Sequence, residues 1–327
     1  MSAGHVSAGR RRAGRIAPSR RNPCDPSPVA LYRLDEPDDL VEPTMIAAFD
    51  SWIDSGGAST AAASQLVDAG ARKDPRPDAK SGKAPGNVVA TFDGDLLFDY
   101  RSRRPTLEIV DGKLAELTWP ELTIRRSRLG EKDLLVFTGA EPDFRWREFA
   151  DATVELIRQL GVGQWISLGA IPAAVPHTRP VPIMGTESEP GLLRGNIRPG
   201  PDGLLRVPSA AISVLEMAVS QSGTPAVGYF AQVPHYVSGP YAMAGLELLR
   251  AVGRHLDVEI PEGLLAEESR LLRSRLDAVV AAEETTRAYV DRLEAMVDEE
   301  RLPSGSELIG EIERFLRDRG GEGTQRS

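Results

Sequence analysis

Ten residues whose types could serve chemistry fall in four short clusters. Asp50 and Asp54 stand in TMIAAFDSWIDSGGASTAA, with Trp52 between them and Ser55, Gly56 and Gly57 just after. Two carboxylates on one tight loop can share a proton or serve as acid and base. The same residues have a structural use, because Asp54 or Ser55 can cap the following helix by accepting from its free N–H groups. Gly56 lets backbone approach a ligand or simply makes the turn, and Trp52 is a core lid or an exposed contact. Glu141 and Trp146 form the second cluster, where Glu141 suits the positive end of the next helix. His177 and Arg179 lie in AAVPHTRPVP, a general-base imidazole beside an anion-binding guanidinium in one reading. In the other they belong to a loop fixed by its prolines or to a subunit contact. His235 follows Pro234, with no chemical partner identifiable.

Nothing nearby turns these residues into a known catalytic device. No G-x-x-x-x-G-K-[ST] loop occurs, and no G-x-G-x-x-G follows a strand. Neither H-E-x-x-H nor a G-x-S-x-G elbow is present, although Ser59 and Ser209 stand near helix starts. The four histidines (His5, His177, His235, His255) are scattered, and Cys24 is the only cysteine. A catalytic metal, a cofactor and a disulfide framework are therefore not expected. A net charge of −9 argues against nucleic acid as a partner. No apolar run approaches membrane-spanning length, and a cytoplasmic protein is expected. The basic segment from Arg10 to Arg21 leads into proline-rich sequence rather than an apolar signal core, so residues 1–26 read as a disordered tail.

These clusters need elements to position them. Thr44 to Phe49, Asn87 to Phe92, Lys132 to Gly139 and the segments around Ile166 and Phe230 read as strands, as does Pro28 to Leu34. Ala58 to Ala69 has helical apolar spacing with Gly70 as its stop. Residues 72–86 are loop-like, and 93–130 alternate short apolar runs with Asp-Gly and Pro signals, as hairpins do. Residues 141–161 read as a helix with an acidic first turn and Gly161 at its end, and 208–223 and 241–256 are helical by spacing. Strands alternating with helices point to an α/β sheet covered by helices. From Glu262 the chain is charged and amphipathic, with Leu265, Leu272, Leu276, Val279, Val280, Tyr289, Leu293 and Met296 on one face and a break at Pro303–Gly305. The expected organisation is a tail (1–26), an α/β domain (27–260), a helical extension (261–320) and a short disordered tail (321–327).

The segment FDSWIDSGGA resembles the F-x-x-W-x-D-[AS]-G-x-A pattern of the proteasome assembly chaperone 2 family. LLVFTGAEPDFRWREF, LGAIPAAVPHTRPVPIMGT and VGYFAQVPHYVSGPYAMAGLELL look like the same family, in the same order, so the resemblance covers about Ala30 to Ile260. The charged extension after Glu262 looks like the actinobacterial members. The resemblance implies a three-layer α/β/α sandwich similar to nucleoside-phosphorylase-like folds, and self-association. Eukaryotic and archaeal relatives are chaperones for proteasome α-ring assembly, some engaging it through a C-terminal hydrophobic–Tyr–any tripeptide. This chain ends GEGTQRS, which lacks it. The family implies no catalytic residues to carry across. The leading expectation is thus a non-catalytic homo-oligomeric assembly or interaction protein, with proteasome subunits as candidate partners. The alternative is an enzyme or binding protein for a nucleoside-like ligand at the strand-end cleft.

Overall fold

The computed structural model describes residues 30–35, 39–71, 87–195, 197, 199–201 and 203–301. The basic tail with Cys24, the 72–86 loop, the Pro303–Gly305 break and the terminal GEGTQRS lie outside the described residues.

The strands are β1 (Tyr32–Leu34), β2 (Thr44–Asp50), β3 (Asn87–Phe92), β4 (Thr106–Val110) and β5 (Lys113–Thr118). They continue with β6 (Leu122–Leu129), β7 (Lys132–Ala140), β8 (Gln164–Ala173), β9 (Ile183–Glu187) and β10 (Ala226–Pro234). The helices are α1 (Ala58–Ala71), α2 (Gly94–Leu97), α3 (Trp146–Gln159), α4 (Ala211–Gln221) and α5 (Ala242–Leu256). Two more, α6 (Gly263–Ala282) and α7 (Glu284–Arg301), form the C-terminal extension.

Eight strands make one sheet in the order β1-β3-β6-β7-β2-β8-β10-β9, while β4 and β5 form a separate two-stranded ribbon. The four central strands, β7, β2, β8 and β10, run parallel. β6, β3 and β1 extend the sheet antiparallel on one side and β9 on the other. β2 shows why the centre is legible. Six of its seven residues are buried, because a strand covered by helices on both faces needs apolar side chains at odd and even positions alike.

Alternation then divides those side chains between two cores. Ile46 and Ala48 face a layer built from α1 and α5, where Leu66, Leu248 and Leu249 are buried. Met45, Ala47 and Phe49 face the other layer, with Phe149 and Leu156 of α3 and Leu215 of α4. The second core is aromatic: Phe137 meets Phe49 edge-on at 5.0 Å and stacks on Phe92 at 5.2 Å. Each such pair adds about 0.5–1.5 kcal/mol beyond its burial. The result is an α/β/α sandwich, with α6 against the outside of α1 and α5 through Leu265.

Three local expectations are corrected. Gly70 is not a stop, since α1 runs through it to Ala71. A side chain there would lie 1.9 Å from Ser127 Oγ, so the glycine permits the close approach of helix to β6. The helix expected over 141–161 begins only at Trp146, after Pro142 and a left-handed Arg145 at φ 57°. In the extension, Leu265, Val290 and Leu293 are buried, but Val279 and Met296 are exposed. The two helices part at Glu283, an extended residue whose carboxylate accepts from the Thr285 and Thr286 hydroxyls and so starts α7 anew.

Candidate functional site

All ten candidate residues lie at the carboxyl ends of the four parallel strands. Asp50, Trp52, Asp54, Ser55 and Gly56 follow or end β2, Glu141 and Trp146 follow β7, His177 and Arg179 follow β8, and His235 follows β10. Ligands of open α/β sheets collect at such ends. What each side chain does there depends on its partners.

Asp54 is buried and committed to α1. Its Oδ1 accepts from the Ser59 backbone N–H and hydroxyl, both at 2.7 Å, and its Oδ2 accepts from the Thr60 hydroxyl at 2.6 Å. Ser and Thr follow the Asp at the spacing that lets one carboxylate satisfy the first turn. Gly56 ties this loop to α5: its carbonyl accepts from Tyr241 N–H at 2.8 Å, and its φ is 66°. A Cβ at Gly56 would stand 2.7 Å from Tyr241 Cβ, which is why no side chain is tolerated. Ser55 is half-buried. Trp52 is 52% exposed on the open side of the loop.

Glu141 does not serve the helix that follows it. Its Oε1 accepts from Ala211 N–H at 2.6 Å, capping α4 seventy residues away, while its own N–H donates to Asp50 O at 3.1 Å. Burial pushes the Glu141 carboxyl above the usual carboxylate range, with Asp143 and Asp50 adding to the rise and the Ala211 N–H and Arg103 opposing it. Arg103 pairs with Asp143 at 3.3 Å. Trp146 donates its indole N–H to Pro142 O at 2.6 Å, which pins the start of α3. Phe144, between them, is 49% exposed.

The other half of the strand-end rim lies against the chain's own C-terminal helices. His177 is fully buried. Its backbone N–H donates to the Tyr236 hydroxyl at 2.7 Å, and Nδ1 lies 2.7 Å from the same hydroxyl. The hydroxyl thus donates to Nδ1, which leaves the proton of the neutral ring on Nε2, by assignment from the network. Nε2 stands 3.2 Å from Asp277 Oδ1 of α6, off the line of a well-formed hydrogen bond. Arg273 of the same helix donates to the carbonyls of His177 at 2.9 Å and Thr178 at 3.1 Å. From α7, Asp298 holds Arg179 through two bonds, at 3.1 and 2.7 Å, and Glu294 lies 3.3 Å from it. Glu294 also accepts from the Thr178 hydroxyl. His235 joins Ala173 O at 2.9 Å to the Tyr289 hydroxyl of α7 at 2.9 Å.

Tyr236, His177 and Asp277 form a chain of contacts from the loop to α6. Burial lowers the His177 pKa, helped by Arg273 and opposed by Asp277. Burial likewise raises the Tyr236 pKa, so the hydroxyl stays a phenol already engaged by His177. These groups hold α6 to the loop. Two surface cavities among the described residues, of about 460 and 490 Å3, are lined by other residues, around Gly253 and around Asp93. Among the described residues no group of three or more His, Cys, Asp or Glu is arranged to hold a metal ion, and no helix is long and apolar enough to cross a membrane. Arg273, Asp277, Glu294 and Asp298 carry no signal in the sequence beyond charge on an amphipathic helix, and Tyr289 none beyond its place on that helix's apolar face.

The Arg179 attachment is testable. Arg179→Ala removes the bonds to Asp298 and Glu294, a solvent-accessible contact whose loss should be felt locally rather than in global stability. Amide hydrogen exchange in α7 should quicken by about 2–5-fold. Unchanged exchange would show that the Arg179 pair does not hold α7.

A second titratable group lies at the far end of the sheet. His255 Nδ1 meets the Tyr229 hydroxyl at 2.7 Å and Nε2 meets Gln164 Oε1 at 3.1 Å. Burial, with Arg194 nearby, pushes its pKa down to about 4. The unfolded chain, titrating near the ordinary value, takes up this proton first as pH falls. The neutral ring's contribution is therefore complete above about pH 6.5 and is lost between there and pH 4, about 1–2 kcal/mol after solvent screening. His255→Gln should flatten that part of the stability–pH curve. An unchanged slope would refute the assignment.

The geometry defines an α/β/α sandwich whose strand-end loops are tied down by internal bonds and half covered by a C-terminal helical pair. The PAC2 family profile matches residues 48–280. A protein of unknown function from Corynebacterium glutamicum is 30% identical, over 83% of this chain and 98% of that one, with a TM-score of 0.74. A proteasome-assembly chaperone homologue from Mycobacterium tuberculosis is 31% identical, over 76% of this chain and 99% of that one, with a TM-score of 0.66. A PAC2 family protein from Streptomyces avermitilis is 32% identical over the same shares, with a TM-score of 0.62. No curated protein matches. The chain belongs to the PAC2 family.

Proposed function

We propose that this protein is an oligomeric interaction protein that acts in proteasome assembly, binding proteasome subunits without catalysing a reaction. The observation that carries the reading is the 31% identity, across most of this chain, to a protein described as a proteasome-assembly chaperone homologue. The strand-end rim supports it. Asp54 and Glu141 are taken up by caps and His177, Arg179 and His235 by the C-terminal helices, whereas Trp52 and Phe144, after the adjacent strands β2 and β7, stay half exposed. Large aromatics presented on a rigid rim are the usual anchors of protein interfaces.

The test is to mix the purified full-length chain with proteasome α-type subunits from the same source and measure binding by calorimetry. Binding is expected, and Trp52→Ala should weaken it about 30-fold if Trp52 is an anchor of hot-spot strength. No binding to any α- or β-type subunit would overturn the reading.

A further inference from the structure

The ribbon of β4 and β5 stands apart from the main sheet, and all eleven of its strand residues are exposed. Its register pairs Leu107 with Leu117 and, past a bulge, Ile109 with Leu114. Directly opposed residues share a face and alternate ones return to it. These four therefore form one apolar face, each between 45 and 74% exposed. The opposite face carries Glu108 against Glu116, a like-charge pair for which no cation partner is found among the described residues. Both features are unfavourable in water. A lone two-stranded ribbon is marginal without a third strand or a covered face, and directly opposed like charges destabilise it further.

A complementary element lies elsewhere in the same chain. Residues 203–209, GLLRVPS, pair with no strand among the described residues, and every one of them is exposed. Leu204, Leu205 and Val207 are 76, 58 and 60% exposed. In an extended conformation Leu205 and Val207 point one way and Arg206 the other. Laid along an edge of the ribbon, the segment would set Leu205 and Val207 against the apolar face and Arg206 beside Glu108 and Glu116. Among the described residues nothing covers either surface.

We propose that the β4–β5 ribbon docks a second copy of this chain, whose residues 203–208 add to it as a third strand. Backbone pairing supplies affinity, the apolar face and the Arg206–glutamate contact supply register, and Pro208 ends the strand. Because the two surfaces differ, the contact is head-to-tail and repeats from copy to copy, closing into a ring where the rotation allows. The inference rests on the oligomeric part of the function proposed above, and it adds the surface.

Sedimentation velocity on the full-length chain over a range of concentrations tests it. The wild type should self-associate. Arg206→Glu, Glu116→Arg and Leu114→Asp should each weaken association at least tenfold, with unchanged circular dichroism. Combining Arg206→Glu with Glu116→Arg should recover most of the loss, a rescue that misfolding would not produce. Self-association untouched by the single variants, or a double variant no better than either single, would overturn this surface and leave the oligomer standing. A wild type monomeric at every concentration, including one whose ribbon binds a different protein, would overturn both.

Discussion

Replacing Asp133 by alanine should lower the free energy of unfolding by about 3–5 kcal/mol, the range for breaking a buried ion pair by removing one partner. Asp133 has no exposed surface at all. Both of its oxygens accept from Arg126, each at 2.8 Å, and Oδ2 also accepts from Val41 N–H at 2.8 Å. One carboxylate thereby joins β6, β7 and the segment that enters β2. Removing it takes the paired carboxylate from a largely buried guanidinium, which keeps its bond to Asp39 O at 3.2 Å, and takes the acceptor from the Val41 N–H. Asp133→Asn keeps an acceptor for Val41 and should cost visibly less. Urea titration measures both, and a loss below about 1 kcal/mol for the alanine variant would contradict the account.

Gly139→Ala should cost at least about 3 kcal/mol although it adds a single methyl group. Gly139 sits at φ 141°, a conformation that side-chain-bearing residues rarely adopt. Its added Cβ would fall 2.0 Å from Glu121 O and 2.8 Å from Leu122 Cα, backbone atoms of the neighbouring strand's entry. The neighbouring Ala140 N–H donates to that same Glu121 oxygen at 3.2 Å, so the strand cannot yield without losing the bond. Glu141 is two residues on and would lose its aim at the start of α4. Thermal unfolding reads the loss, and a variant as stable as wild type would contradict the strain argument.

The central strands were legible because a strand covered on both faces must read as an unbroken apolar run, as MIAAF and LLVF do. Strand β6 was hidden by the charged run in LTIRRSRL, of which Arg126 is answered by Asp133 across the hairpin. Helix α3 was legible from its period, but its start was not, because Pro142 and the left-handed Arg145 delay it past the acidic residues. At the candidate site, the strand–loop–helix pattern was enough to place Asp50 to Gly56 at a strand end. The partners of those loops were not readable. Glu141 acts on a helix seventy positions later, and His177 and Arg179 meet residues about 100 positions away. Local pattern carries local caps such as Asp54 on Ser59. Closure of the rim by α6 and α7 depends on tertiary packing, which spacing does not encode.

Affinity capture from the native host separates the proposed action on proteasome subunits from self-association alone. Tagged full-length chain should co-purify with proteasome subunits, and Trp52→Ala should lower the captured amount several-fold without altering the fold. Recovery of the chain with other copies of itself but with no proteasome subunit would contradict the proposed action.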